Sequence, residues 1–260
     1  MIDAHIHLDH YDSHNLYDEI ERWHEAGITG VIAVSKDLPS SYQTLALQQR
    51  FPDFVHACIG FHPEYPLPGA RDFAEWRRLL QAERARITAI GEIGLPHYEL
   101  ANLPDRLEDH LAFVSQILDE AVAHGLPVAL HAVHDKAAPM LQLLQTKGIA
   151  EAHFHWLKAP PAVVRQIAAA GYYISLTPEV CYRQRDQQLA RLVPARQLLI
   201  ETDGPWRYDG PFSGQETTPL LLQSVVQQLA ALFGTAESTI RAQIIRNTHS
   251  CYRLEPRFTS

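Results

Sequence analysis

The chain has 260 residues, 46% of them hydrophobic and 20% charged, so it can bury a large core and is too apolar for a disordered or fibrous protein. Its formal net charge of -8 excludes a broad electrostatic grip on nucleic acid, though not capture of a nucleic-acid end in a pocket where ions neutralise the phosphate. Cys58, Cys181 and Cys251, far apart and odd in number, exclude a disulfide framework and a zinc ribbon and read as free thiols. No leader pattern opens the chain and no apolar run reaches the length of a membrane span, so a cytoplasmic protein with no membrane partner is expected.

Short apolar runs alternate with longer amphipathic ones from end to end. Strands are expected over residues 1–8, 29–35, 54–61, 88–95, 127–131, 152–156, 172–176 and 197–201. Helices are expected over residues 16–26, 40–50, 73–84, 103–124, 136–147, 161–170, 184–192 and 218–232. Gly27, Gly125, Gly148 and Gly171 each end a helical pattern just before a strand, and Pro161 suits a first helical turn. One further helix over 235–254 and a short polar tail finish the chain. Strands alternating with helices imply a parallel sheet. At this length the closed form, a (β/α)8 TIM barrel making one domain over residues 1–260, is the natural solution. The rival is an open doubly wound sheet, but no Gly-x-Gly-x-x-Gly follows the first strand.

In such barrels the active site lies at the C-terminal ends of the strands. His5 and His7, one residue apart on a strand, share a face and can hold one ion between two neutral imidazoles. His62 follows the third strand, Glu92 lies in Ala89-Ile90-Gly91-Glu92-Ile93-Gly94, His131 closes the fifth strand and His155 the sixth. Asp203 completes Glu201-Thr202-Asp203-Gly204-Pro205 on the eighth. His153 shares the face of His155 and is the fallback, with His155 preferred for lying nearer the strand end. Nitrogen and carboxylate donors from five strands suit borderline ions such as zinc or manganese, and a central carboxylate can bridge two of them.

These segments together resemble the TatD family of metal-dependent deoxyribonucleases, within the wider group of amidohydrolase-like barrels. The likeness rests on Asp3-Ala4-His5-Ile6-His7-Leu8-Asp9, Ile59-Gly60-Phe61-His62-Pro63 and Gly91-Glu92-Ile93-Gly94-Leu95. It continues through Leu130-His131, His155-Trp156, Glu201-Thr202-Asp203-Gly204-Pro205 and Asn247. It implies two or three divalent ions (zinc, manganese or magnesium), with His5, His7 and Asp203 on one, His131 and His155 on a second, and Glu92 bridging. It implies further that Asp203 and Glu92 are catalytic, that Asp203 takes the proton of the attacking water, and that His62 contacts substrate. The substrate would be DNA, at single-stranded ends.

Three departures from the family pattern stand out. Pro96 replaces an Asp after the fourth strand, Val133 stands where an Arg is usual, and Leu157-Lys158-Ala159 replaces a Phe-Ser-Gly segment. Lys158, Arg183 and Arg207 lie in loops on the same side and are the candidates to replace the missing arginine. An amide, ester or lactone hydrolase is the alternative, because the same ions can polarise either bond. A third reading makes the chain a subunit whose partner protein supplies the nucleic-acid surface.

Overall fold

The computed structural model describes residues 1–254; the expected polar tail lies outside them. The strands are β1 (Ile2–Ile6), β2 (Gly30–Val34), β3 (Val55–Ile59), β4 (Ile87–Gly94), β5 (Val128–His131), β6 (Ala152–Phe154), β7 (Tyr173–Leu176) and β8 (Leu198–Ile200). They form one eight-stranded sheet in chain order, with every neighbouring pair parallel. The ring closes beyond the end of β8: Asp203 N–H donates to His5 O at 3.0 Å and His7 N–H to Gly204 O at 2.9 Å. Two of the predicted site segments are thus tied to each other by the closure itself. This is the expected TIM barrel.

Helices α1 (Leu16–Glu25), α2 (Leu38–Arg50), α3 (Ala70–Ala82), α4 (Leu107–His124), α5 (Ala137–Lys147), α6 (Pro161–Ala169), α7 (Gln184–Leu192), α8 (Leu222–Phe233) and α9 (Glu237–Tyr252) alternate with the strands and follow them. Local chemistry sets their ends. Asp37 caps α2 by accepting from Ser40 N–H at 2.8 Å, and Ser40 Oγ accepts from Asp37 N–H at 2.9 Å. Gly125 and Gly148 end α4 and α5 at φ 59° and 68°, the left-handed conformation in which glycine escapes the Cβ penalty. Helix α4 starts later than its hydrophobic pattern suggests, because Pro104 disfavours a helical Leu103. Likewise α8 begins at Leu222, after a single tight turn over Pro219–Leu221.

Both faces of the strands are covered, so β1 is buried at every position, as a parallel sheet wrapped by helices requires. Trp23 and Trp76 are fully buried in the layer between strands and helices. Helix α9 is fastened to the barrel by polar bonds as well as packing. Asn247 Nδ2 donates to the carbonyls of Ala195 and Leu198, both at 2.7 Å, and Tyr252 Oη donates to Ala4 O at 3.2 Å. Cys58 is buried in β3, and all three cysteines are free. Among the described residues no single helix is long and apolar enough to cross a membrane.

Candidate metal centre at the barrel mouth

Glu92 sits at the centre. It lies inside β4, fully buried, and each of its oxygens faces a different set of imidazoles. Oε2 lies 3.2 Å from His5 Nε2 and 3.5 Å from His7 Nε2. Oε1 lies 3.0 Å from His131 Nδ1, 3.1 Å from His155 Nε2 and 3.4 Å from His62 Nε2. Asp203 joins the first set, with Oδ1 3.5 Å from His5 Nε2 and 3.6 Å from His7 Nε2. All seven predicted site residues therefore meet in one cluster.

Several strands end one or two residues short of their expected bounds, which leaves His7 just past β1, and two ends bear directly on the site. β6 stops at Phe154, so His155 follows the strand instead of closing it, and the chain turns at Trp156 with φ 38°. Asp203 likewise stands three residues past the last residue of β8, at φ 48°, a left-handed conformation that Asp tolerates better than most residues. In both cases the turn carries the side chain over the mouth. His153 goes elsewhere: its Nδ1 lies 2.6 Å from Tyr252 Oη, and burial takes its imidazole down to about 3, leaving a neutral ring.

Charge is balanced within the cluster. Burial alone would raise the Glu92 carboxyl, but the imidazoles of His62, His155, His5 and His131 outweigh it and hold it well below the ordinary range. Burial works against a charged His155, yet Glu92 and Glu201 lift its imidazole well above the usual value. Two of these histidines, His155 and His131, have a carboxylate partner for their other nitrogen. His155 Nδ1 lies 3.2 Å from Glu201 Oε1, and His131 Nε2 lies 3.1 Å from Glu64 Oε1. A carboxylate behind an imidazole fixes its orientation and makes the opposite nitrogen a better donor to a cation.

The residues fit divalent ions. His5 Nδ1 and Nε2, His7 Nδ1, Glu92 Oε2 and Asp203 Oδ1 are buried and have no hydrogen-bond partner. Buried polar atoms without partners are costly, and a cation is what a set of imidazole and carboxylate atoms would satisfy. The groups His5–His7–Glu92 and His62–Glu92–His131 each bring three donor atoms within 4.8 Å of one another. A third such group, His5–His155–Glu201, shares His5 with the first of these and takes in His155, which also faces Glu92.

Glu64 escapes a sequence reading. It accepts from the backbone N–H groups of His97 at 2.7 Å, Tyr98 at 3.1 Å and Glu99 at 2.7 Å, besides facing His131. It thereby ties the loop after β4 to the centre. The only local signal is an acidic residue directly after His62-Pro63. Burial raises its carboxyl, but the bonds from His131 and the three backbone groups win and take it down to about 2. Glu64→Gln leaves one oxygen for these donors and should cost about 1–3 kcal/mol of stability in chelator at neutral pH. Because the folded carboxyl is depressed, wild type holds this advantage above 4.5 and loses it as pH falls towards 2. Urea denaturation across that range checks it; a gap that does not narrow would count against the assignment.

Glu92 looks out on a cleft of about 770 Å3 lined also by Val133, Lys36, Lys158 and Arg207. Two of the three expected replacements for the missing arginine, Lys158 and Arg207, therefore reach the cleft. Arg183 instead pairs with Glu179 at 3.4 Å and Asp209 at 3.6 Å. Lys36, which carries no sequence signal, lies with its Nζ 3.0 Å from His10 Nε2.

Comparison with known proteins agrees with this geometry. The family model described as TatD related DNase matches residues 2–253. A protein of Haemophilus influenzae named an uncharacterized metal-dependent hydrolase is 33% identical over 98% of this chain and 100% of its own length. The 3'-5' ssDNA/RNA exonuclease TatD of Erwinia tasmaniensis is 30% identical over 90% of this chain and 92% of its own. Among solved structures, the TatD homologue YjjV of Escherichia coli superposes with a TM-score of 0.87 at 21% identity, covering 98% of both chains. With the family model running through β1, Glu92, His131, His155 and Asp203 alike, the chain belongs to the TatD family of metal-dependent hydrolases.

Proposed function

We propose that the protein is a cytoplasmic phosphodiesterase that removes nucleotides from single-stranded DNA ends, using divalent ions held by the cluster around Glu92. The observation that carries this reading is the division of Glu92 between two sets of donors, with unpartnered buried atoms in the first. On this reading His5, His7 and Asp203 would hold one ion and His131 and His155 a second, with Glu92 standing between the two sets. The donor set suits zinc or manganese more than magnesium, which prefers oxygen. The chemistry such ions would supply is a water acidified to a nucleophile at neutral pH and a counter-charge for the phosphoryl oxygens.

The chain's own groups do the rest. Asp203 stands at the cleft, and its carboxylate orients the attacking water and accepts its proton. His62 positions the phosphate. Glu64 N–H donates to His62 Nδ1 at 3.2 Å, so a neutral ring keeps its proton on Nε2, beside Glu92. Burial keeps that ring below its ordinary value and therefore neutral. A neutral imidazole with its proton on Nε2 presents an N–H to an anion. The name of the Erwinia relative, a single-strand exonuclease, is in keeping with this substrate.

The test joins three readouts on one preparation: metal content, thermal melting with and without manganese or zinc, and release of nucleotides from end-labelled single-stranded DNA. Metal should raise the melting temperature, since it binds the folded state alone. Asp203→Asn should slow nucleotide release by about 10²–10⁴-fold. Metal uptake without nucleotide release would move the chemistry to amide, ester or lactone substrates, or to a partner protein. No metal uptake after reconstitution would overturn the reading.

A further inference from the structure

Seven large hydrophobic side chains are exposed among the described residues, and three of them, Tyr65, Tyr98 and Trp206, line the one cleft that holds Glu92. All three are aromatic, two stand beside a lysine, and Arg207 lines the same cleft as Trp206. Lys36 Nζ is 5.9 Å from the Tyr65 ring, Lys158 Nζ is 5.7 Å from the Tyr98 ring, and Arg207 follows Trp206 in the chain. The three rings come from separate loops, after β3, β4 and β8, with Lys36 and Lys158 reaching them from the loops after β2 and β6. Exposed aromatics of this size are costly to leave in water unless something covers them.

The rings are held for use. Trp206 is 58% exposed, yet its edge packs on Trp156, with centroids 5.5 Å apart at 73°. Trp156 is fixed in turn by donating from Nε1 to Glu179 at 3.0 Å, and Lys158 Nζ lies 4.1 Å from its ring. Tyr65 meets His62 edge-on, centroids 5.5 Å apart, and the Tyr98 backbone is held by Glu64. Such bracing lowers the entropy lost when a flat ligand stacks.

We propose that this rim reads unpaired nucleotides, with Tyr65, Tyr98 and Trp206 stacking bases and Lys36, Lys158 and Arg207 meeting the phosphates between them. The proposal deepens the phosphodiesterase reading and rests on it. A chain of net charge -8 has no long-range pull on a polyanion, so its hold must come from local cations and from stacking, which every base can give. Paired bases keep their faces inside the duplex. The rim therefore selects single strands, and because it touches base faces and phosphates it accepts DNA and RNA alike. It also supplies cations where Val133 does not.

Binding is measured in chelator by fluorescence anisotropy of labelled oligothymidylate, oligouridylate, the same strand with abasic terminal units, and a blunt duplex. Trp206→Ala and Tyr98→Ala should each weaken oligothymidylate and oligouridylate binding about tenfold, with Trp206→Phe restoring most of it. Tyr42→Ala, an exposed aromatic of α2 away from the cleft, should change nothing. The abasic strand and the duplex should bind more weakly than the intact single strand. In metal-loaded enzyme the two alanine variants should lose more kcat/KM on the oligonucleotide than on bis(p-nitrophenyl) phosphate, the loss falling on KM. Equal binding of intact and abasic strands, or variants that bind like wild type, would overturn the proposal. Strand binding without hydrolysis of either substrate would instead overturn the phosphodiesterase reading and leave the stacking rim standing.

Discussion

Glu92→Gln is expected to lower kcat/KM on a phosphodiester by about 10³-fold or more, the upper end of what one electrostatic group supplies, and to reduce bound metal sharply. The substitution keeps the shape of the side chain while removing its charge. It also replaces one acceptor oxygen by an amide that can only donate, in a place where five imidazole nitrogens lie within 3.5 Å of the carboxylate. Glu201 groups with one imidazole of each set, His5 and His155, whereas Glu92 meets all five. The fold should survive, because without metal the charge of Glu92 is matched by His155 and His131, whose imidazoles can shed their protons when it goes. Metal analysis, the circular dichroism spectrum and steady-state kinetics on the same sample check it. A folded variant with full metal content and near-normal kcat/KM would remove Glu92 from the centre of the chemistry.

What the sequence made legible was local. His5 and His7 were legible as a pair at one strand end, although β1 stops at Ile6 and His7 stands just past it, and the glycines after α4 and α5 follow from the backbone they must adopt. The barrel followed from counting alternating patterns, since the strands pair in chain order. What stayed hidden depends on contacts across the mouth. His62 meets the N–H of Glu64 two residues on, but the partner that places it in the cluster is Glu92 on the next strand. Glu64 meets His131, 67 residues away, and the backbone of a loop whose path no periodicity encodes. The choice between His153 and His155 turned on where β6 ends, and a strand end is set by the turn at Trp156, whose N–H is taken by Glu201 at 2.8 Å. Lys36 reaches the cleft only because β2 and β3 are neighbours in the barrel.

The second large effect concerns the backbone that brings the imidazoles to Glu92. Gly94→Ala is expected to cost more than about 4 kcal/mol, which places it among the most damaging single substitutions and threatens folding itself. Gly94 closes β4 opposite His131 of β5, and Leu95 N–H donates to His131 O at 3.0 Å. A Cβ at Gly94 would lie 1.8 Å from that same carbonyl oxygen and 2.7 Å from its carbon. Backbone stands on both sides, so relief requires parting β4 from β5, and that parting would carry His131 away from Glu92. Gly148→Ala is the control: it ends α5 at φ 68° with nothing within 4 Å of an added Cβ, and should cost only about 1 kcal/mol for the left-handed conformation. Urea denaturation of the two variants separates crowding from backbone preference. If Gly94→Ala were as stable as Gly148→Ala, the close approach of β4 to β5 could not be what sets the height of His131 over the barrel mouth.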